Sequence, residues 1–231
     1  MHRLMVGLAL LAAATPLCAE QVIDDFESAT NPNQWGWTNN SGGAFTIVPN
    51  GGNPGAWLDS GVPYFADHPN LTAVPPAGTP LRSALASGTL HTASADLQRL
   101  DTANVTNCHP IYDLPSMFTL ALIDTHTISG GGVIEAHTTD GPASPAGTSF
   151  PWTSMIFAIP SAATNVPPGW VLNAPPELNY TWADLMHNID GIRFFVLSPD
   201  DFTYSSCWHL GADNIVVTYG ASDTIFANGF D

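Results

Sequence analysis

The residues of this chain most suggestive of chemistry are the acidic ones near its two ends. Asp24, Asp25 and Glu27 lie near the start, and Asp213 and Asn214 lie near the end. Calcium binds six to eight hard oxygen atoms, which proteins supply as carboxylates, amide oxygens and backbone carbonyls. If the first and last strands are neighbours, these residues could hold one calcium ion between them.

A glycine-rich turn at 51–53 could complete such a site, because glycine lets the backbone curl inward and present its carbonyl oxygens. On an extended strand Asp25 and Glu27 share one face, whereas Asp24 points the other way. We therefore predict a structural calcium site with the ligands Asp25, Glu27, Asn53 and Asp213. The alternative is a set of exposed acids at the start of a strand and a turn-forming Asp-Asn pair, with no ion.

A second cluster is predicted on a β-hairpin with its turn at 129–132. In that register His126 faces Glu135. Asp124 then faces His137 on the same side of the sheet, with opposed β-carbons about 5 Å apart. Such side chains could bind zinc or copper or act as an acid/base pair. A one-residue change in the turn would destroy the arrangement, and the alternative is a polar sheet face with complementary cross-strand pairs.

Aromatic side chains form a third group. Trp35 and Trp37 share a face if that stretch is extended, and they could stack on the apolar face of a sugar ring. The predicted ligand platform comprises Trp35, Trp37, Trp57 and Tyr64, with Trp152 and Trp170 as further flat surface. The alternative places the tryptophans in the core, to which Trp182 and Trp208 are assigned.

Motifs of common enzyme classes are absent from the sequence. There is no Gly-x-Ser-x-Gly elbow, no His-Glu-x-x-His pair and no phosphate-binding Gly-Lys-Ser/Thr loop. The chain carries 20 acidic residues against four arginines, with no lysine and a net charge of −16. Such a charge repels nucleic acid phosphates and anionic lipid.

Residues 1–19 have the features of a secretory signal peptide. His2 and Arg3 form a short basic region, residues 4–14 form an apolar run too short to span a bilayer, and Ala19 offers a small residue for cleavage. No later segment is long and apolar enough to cross a membrane. We therefore expect export and no transmembrane segment.

Two cysteines, Cys108 and Cys207, remain after removal of the signal peptide. In an oxidising compartment a lone pair most often forms a disulfide. This one would close a loop of about 100 residues and contribute ~2–4 kcal/mol. A metal-thiolate pair is the alternative.

Short apolar segments separated by Gly and Pro predict an all-β fold. The predicted strands are 44–48, 56–58, 118–123, 133–138, 154–159, 191–197 and 214–219. The sequence predicts one short helix, capped by Thr181 with Asp184 three residues on. The Pro-rich segments 63–80 and 160–176 are expected to be surface loops. We predict a single-domain jelly-roll β-sandwich with one short helix.

Several motifs follow one another in a recognisable order. They are the acidic start, Trp-Gly-Trp at 35–37, Gly-Gly-Asn-Pro-Gly-Ala-Trp-Leu at 51–58, Ala-Asp-Leu at 183–185, Asp-Gly-Ile-Arg-Phe at 190–194 and Leu-Gly-Ala-Asp-Asn-Ile at 210–215. This order resembles the laminin B group (laminin domain IV type A) and, more broadly, jelly-roll carbohydrate-binding modules with a galactose-binding-like fold. The resemblance covers most of 22–219 and implies neighbouring end strands, often beside a calcium ion.

The ending Ile-Phe-Ala-Asn-Gly-Phe-Asp at 225–231 resembles the tails of many secreted proteins of Gram-negative bacteria. It implies an export or surface-sorting tag, and the alternative is a frayed terminus. The predicted organisation is a signal peptide at 1–19, a β-sandwich domain at 20–220 and a C-terminal tail at 221–231. We expect the protein to be secreted or at the cell surface, on the extracellular or periplasmic side of such a bacterium.

Together these features predict a monomeric, non-catalytic binding module for carbohydrate or cell-surface matrix, with a structural calcium ion and no affinity for nucleic acid. One alternative is a structural or adhesive surface protein that contacts another protein. Another is a metal-dependent hydrolase that uses the hairpin cluster.

Overall fold

The computed structural model describes residues 19–27, 36–38, 45–61, 70–101, 116–129, 132–141, 143–144, 150–197 and 208–220. Within them the chain forms two antiparallel sheets packed face to face, which confirms the predicted all-β, single-domain sandwich. In this described part no helix is long and apolar enough to cross a membrane. The predicted signal peptide apart from Ala19, the C-terminal tail at 221–231, Cys108 and Cys207 lie outside the described residues.

The first sheet brings the two ends of the domain together. Its strands run in the spatial order β10, β6, β13, β4, β3, and β1 also pairs with β13. Their bounds are β1 Glu20–Asp24, β3 Thr46–Gly52, β4 Gly55–Asp59, β6 Leu90–Asp101, β10 Phe150–Ala158 and β13 Trp208–Tyr219. The pairing runs from Glu20 opposite Tyr219 to Asp24 opposite Ile215, so the acidic start lies beside the last strand.

The second sheet covers the first. Its strands run in the order β11, β8, β7, β12, β5, β2, and β9 also pairs with β7. Their bounds are β2 Trp37–Thr38, β5 Asn70–Ala73, β7 Ser116–Asp124, β8 Ile134–Thr138, β9 Ala143–Ser144, β11 Trp170–Asn173 and β12 Gly191–Leu197. β8 alternates buried and half-buried positions, as expected for a strand with one face on the core. β5 and β11 lie in the Pro-rich segments predicted as loops, so that prediction is wrong at those residues.

The described residues include two α-helices where the sequence predicts one. α2, Trp182–Asn188, has the predicted capping box, in which Thr181 and Asp184 exchange hydrogen bonds. α1, Pro80–Leu85, was missed; it begins with a proline after the N-cap Thr79 and buries Leu81, Ala84 and Leu85. A 3-10 turn, Pro176–Leu178, precedes α2.

The hairpin of β7 and β8 has a longer connection than predicted. Asp124 lies opposite Ile134, Ile123 opposite Glu135 and Ala121 opposite His137. The observed register differs from the predicted one by three positions, and an odd shift moves side chains to the other face. The predicted facing pairs, His126 with Glu135 and Asp124 with His137, are therefore wrong.

Candidate functional site

The acidic residues at the start of the chain do not continue as an extended strand. β1 ends at Asp24, and Phe26 has a left-handed φ of 57°. This turn directs Asp24 inward, where its Oδ2 accepts a hydrogen bond of 3.1 Å from the indole Nε1 of Trp37. Asp25 is exposed, and the one hydrogen bond that its carboxylate makes within the described residues is accepted from the backbone N–H of Glu27, so it does not share the hydrogen bonds of the cluster predicted for it.

Glu27 and Asp213 meet at the turn between β3 and β4. Glu27 Oε1 accepts a hydrogen bond of 3.0 Å from the N–H of Ala56. Asp213, which is fully buried, accepts one of 2.6 Å from the N–H of Asn53. Three of the four predicted calcium ligands, Glu27, Asn53 and Asp213, therefore converge on one turn.

Two further residues belong to this cluster. Asp96 in β6 accepts hydrogen bonds from the side-chain amides of Asn53, at 3.4 Å, and Asn214, at 2.7 Å. Asn214 also donates to the backbone carbonyl of Asn53. Asp96 is not among the predicted ligands, because the sequence pattern does not indicate strand β6. We call Asp24, Glu27, Asp96 and Asp213 the acidic cluster.

The acidic cluster is an unfavourable place for negative charge. Burial raises the pKa of Asp213, and the nearby Asp96 and Glu27 carboxylates raise it further, against hydrogen bonds that lower it. Burial likewise raises the pKa of Asp24, with contributions from Asp25 and Asp213. The ion pairs of Arg82 and Arg193 in the described residues are made elsewhere, with Asp190 and Glu135.

A different cluster lies at the end of β7. His126 pairs through Nδ1 with the buried carboxylate of Asp190, which directly precedes β12. Asp124, also buried, accepts hydrogen bonds from the N–H of His126 and from the phenol of Tyr180 at 2.7 Å. One ligand atom each of Asp124, His126 and Asp190 lies within 4.8 Å of the others. Asp124 and His126 were predicted site residues, whereas Asp190 was not.

Hydrogen bonds favour the ionised form of Asp124. Burial would raise the pKa of its carboxyl, but bonds from Thr127, Tyr180 and His126 outweigh burial, and the pKa is lowered. Burial and the bond to Asp124 raise the pKa of Tyr180, so the phenol stays a hydrogen-bond donor.

The other two residues of the predicted hairpin cluster lie on the opposite face of the sheet. Glu135 binds Arg193 Nη1 at 2.6 Å, and His137 Nδ1 is 3.6 Å from Glu135 Oε1. Glu135 therefore pairs with Arg193, with His137 beside it, and neither residue belongs to the site of Asp124 and His126.

The predicted aromatic platform is largely core where the structure describes it. Trp37 is fully buried and Trp57 nearly so, and Trp57 donates its indole N–H to the carbonyl of Asn50. A stacking surface must be accessible, so the structure corrects the prediction for these two residues. Trp35 and Tyr64 lie outside the described residues.

A cleft of about 330 Å³ opens where the edge strands β10 and β11 approach each other. Trp170 in β11 contributes to its wall but is nearly buried, and it packs edge-on against Trp182, with ring centres 5.2 Å and ring planes 66° apart. Ile156 on β10 stands at its rim and is 75% exposed. The remaining lining residues are His91, Thr138, Asp140, Phe157, Ala158, Ile159, Pro160 and Pro168.

Asp140 gives this cleft a polar edge. Its carboxylate is exposed and lies over Gly169, whose φ of +80° suits a residue without a side chain. Within the described residues, no hydrogen bond or ion pair engages this carboxylate. His91 at the cleft is held by its Nε2, 2.7 Å from the carbonyl of Gly220.

Comparison with known proteins does not place the chain in a family. No protein-family model and no curated protein matches it. A crystal structure of a candidate glycoside hydrolase from Bacteroides vulgatus is similar at 14% identity, with 74% of this chain and 75% of that chain covered and a TM-score of 0.31. This likeness is too distant to assign a fold family or a function.

Proposed function

We propose that the protein is a secreted, non-catalytic β-sandwich module that binds carbohydrate in the cleft between β10 and β11. The observation that supports this is the mixed lining of the cleft. Ile156, Pro160 and Pro168 offer exposed apolar surface beside the buried Trp170 and Phe157. Asp140 offers a carboxylate that no hydrogen bond or ion pair engages within the described residues. A sugar ring has the matching chemistry, with an apolar C–H face and hydroxyl groups that donate to a carboxylate.

The charge of the protein narrows the range of glycans that it is expected to bind. With a net charge of −16, the surface repels uronic acids and sulfated or sialylated glycans. Neutral glycans are therefore the proposed ligands, as cell-surface or matrix components. The cleft volume matches the lower end of small-molecule sites, which suits a short segment of a glycan chain.

A glycan array probed with the full chain tests this proposal. We expect binding to a group of neutral glycans and none to their sulfated analogues. If no glycan is bound, the adhesive alternative, in which this module contacts another protein, becomes preferred.

We further propose that a structural calcium ion sits at the acidic cluster. The cluster joins β1, the turn at 53–56, β6 and β13, so an ion there would fasten both ends of the domain. Carboxylates whose pKa values are raised by burial and mutual repulsion support this proposal, because a cation would relieve both effects. Glu27, Asp213 and the carbonyl of Asn53 are the proposed ligands, with Asp96 added.

Thermal melting in calcium and in chelator tests the ion. An ion at 100 times its dissociation constant adds about 2.7 kcal/mol, which for a domain of this size raises Tm by roughly 5–10 °C. If the melting temperature is the same in calcium and in chelator, the proposed calcium ion is ruled out. Glu177→Gln is the matched control, because Glu177 is an exposed acid on the 3-10 turn before α2 and does not belong to the acidic cluster.

We also propose that the protein is exported to the cell surface, that it is related to the laminin B group, that its tail is a sorting signal and that it is a monomer. These proposals are supported by the sequence features of residues 1–19 and 225–231 and by the order of motifs. The pairing of β1 with β13 agrees with the neighbouring end strands that the resemblance implies.

A further inference from the structure

We propose that Asp124, His126 and Asp190 bind one zinc-class transition-metal ion. The site is independent of the cleft and of the acidic cluster. Each residue can offer one ligand atom, and those atoms lie within 4.8 Å of one another. An imidazole nitrogen with two carboxylate oxygens favours zinc and its neighbours, whereas calcium and magnesium prefer oxygen alone.

The two carboxylates are held by adjacent, paired strands. Asp124 is the last residue of β7, and Asp190 immediately precedes β12, whose Gly191 lies opposite Ile123. The N–H of Asp190 donates to the carbonyl of Ile123 at 2.9 Å, which fixes the two strand ends against each other. Both carboxylates are buried, so their positions are set by the fold before any ion arrives.

His126 closes the site on the solvent side. Its side chain is 69% exposed, while its Nδ1 is directed at Asp190. Its N–H bond to Asp124, 2.8 Å long, holds the backbone of the connecting segment against the first carboxylate. An ion could enter from this side and complete its coordination with water, as three-ligand zinc sites do.

Hydroxyl groups now fill the space between the ligands. Thr125 Oγ1 donates to Asp190 and Thr127 Oγ1 donates to Asp124. Rotation of a hydroxyl turns its hydrogen away and presents an acceptor lone pair in its place. Each threonine can therefore release its hydrogen bond to the carboxylate and direct a lone pair towards a bound ion.

Arg82 is the competing cation. Its Nη1 lies 3.6 Å from Asp190 Oδ2 and donates at 3.1 Å to the carbonyl of Asp190. Its side chain is 27% exposed, so it can withdraw towards solvent. Because a dication and a guanidinium compete for one carboxylate, removal of this charge should tighten metal binding.

The test is a zinc titration by calorimetry on the full chain without a histidine tag, with bound metal counted by elemental analysis after dialysis. We expect one zinc ion per chain at this site. His126→Ala should weaken it by at least about 100-fold, since loss of an outer partner alone weakens metal sites by about 10- to 100-fold. His187→Ala is the matched control, because His187 is an exposed histidine on α2, and it should bind zinc as the parent chain does.

Arg82→Met should bind zinc more tightly than the parent chain, in contrast to the weaker binding of His126→Ala. Unfolding of the variant could not produce tighter binding. The proposal is overturned if the parent chain binds no zinc. It is also overturned if His126→Ala binds zinc as tightly as the parent, which would assign the ion to other histidines. Unchanged affinity in Arg82→Met would equally contradict competition at Asp190.

Discussion

At the scale of single residues, Asp124 shows how hydrogen bonds stabilise a buried charge. It accepts from two backbone N–H groups, the Thr127 hydroxyl and the Tyr180 phenol, so the ionised form is well satisfied. Its folded pKa is lowered, so its contribution to stability is present above its unfolded pKa, about 3.9, and is lost as pH falls through the folded value.

Tyr180→Phe tests this account. The variant removes one donor to a buried carboxylate and should lower the free energy of unfolding by about 1.5–3 kcal/mol at neutral pH. Because a protonated Asp124 depends less on that donor, the difference from the parent should shrink as pH falls below 4. Urea denaturation across this pH range gives the result, and a difference independent of pH would contradict it.

The pKa shifts of Asp24 and Asp213 are opposite in direction to that of Asp124. Their folded pKa values are raised, so in chelator the stability from their neutral forms is present at acid pH and is lost as pH rises through the folded pKa. Calcium should reverse that loss. The calcium-induced gain in Tm should therefore be larger at pH 7 than at pH 4–5, and a gain independent of pH would place the ion elsewhere.

At the scale of elements, the turn between β3 and β4 positions the acidic cluster. Gly55 has a φ of +86°, and a β-carbon there would collide with the Glu27 carboxylate. Gly55→Ala should therefore cost more than the ~1–2 kcal/mol of a left-handed alanine. Gly78→Ala is the matched control, because Gly78 has a φ of +84° with no atom within 4 Å of a β-carbon. Equal losses in urea denaturation would show that Glu27 does not sit against this turn.

Strands with large apolar residues were predictable, and strands with small ones were not. β7 reads Ser-Met-Phe-Thr-Leu-Ala-Leu-Ile-Asp and buries both faces, which its run of apolar residues indicates. β6 carries alanine at the buried positions 93 and 95 among Thr, Ser and His, so its periodicity is faint although it is a central strand. Asp96 was missed for this reason.

Sites that depend on register were the hardest to predict. The convergence of Glu27, Asn53 and Asp213 follows from neighbouring end strands and a glycine turn, both visible in the sequence. The hairpin cluster depended on the length of one turn, and the longer connection sends Glu135 and His137 to the other face. Asp190 reaches His126 only through the pairing of β12 with β7, which no local pattern indicates.

At the scale of the whole molecule, the three candidate sites lie in different parts of the sandwich. The acidic cluster lies where β1, β6 and β13 meet the β3–β4 turn, the cleft lies between the edge strands β10 and β11, and the zinc-class site lies at the ends of β7 and β12. Loss of one should therefore leave the others intact, since distant sites contribute independently. Asp140→Asn should leave both zinc binding and the calcium-induced gain in Tm unchanged.

The most direct test of carbohydrate binding is calorimetric titration of the best array glycan into the parent chain, Ile156→Ser and Asp140→Asn. Ile23→Ser is the matched control, because Ile23 is also an exposed isoleucine but lies on β1, outside the cleft. Both cleft residues are exposed, so their variants retain the fold. We predict a loss of at least about tenfold in affinity, or ~1.4 kcal/mol, for both cleft variants and none for the control. Parent-like affinity in both cleft variants would contradict the proposed function.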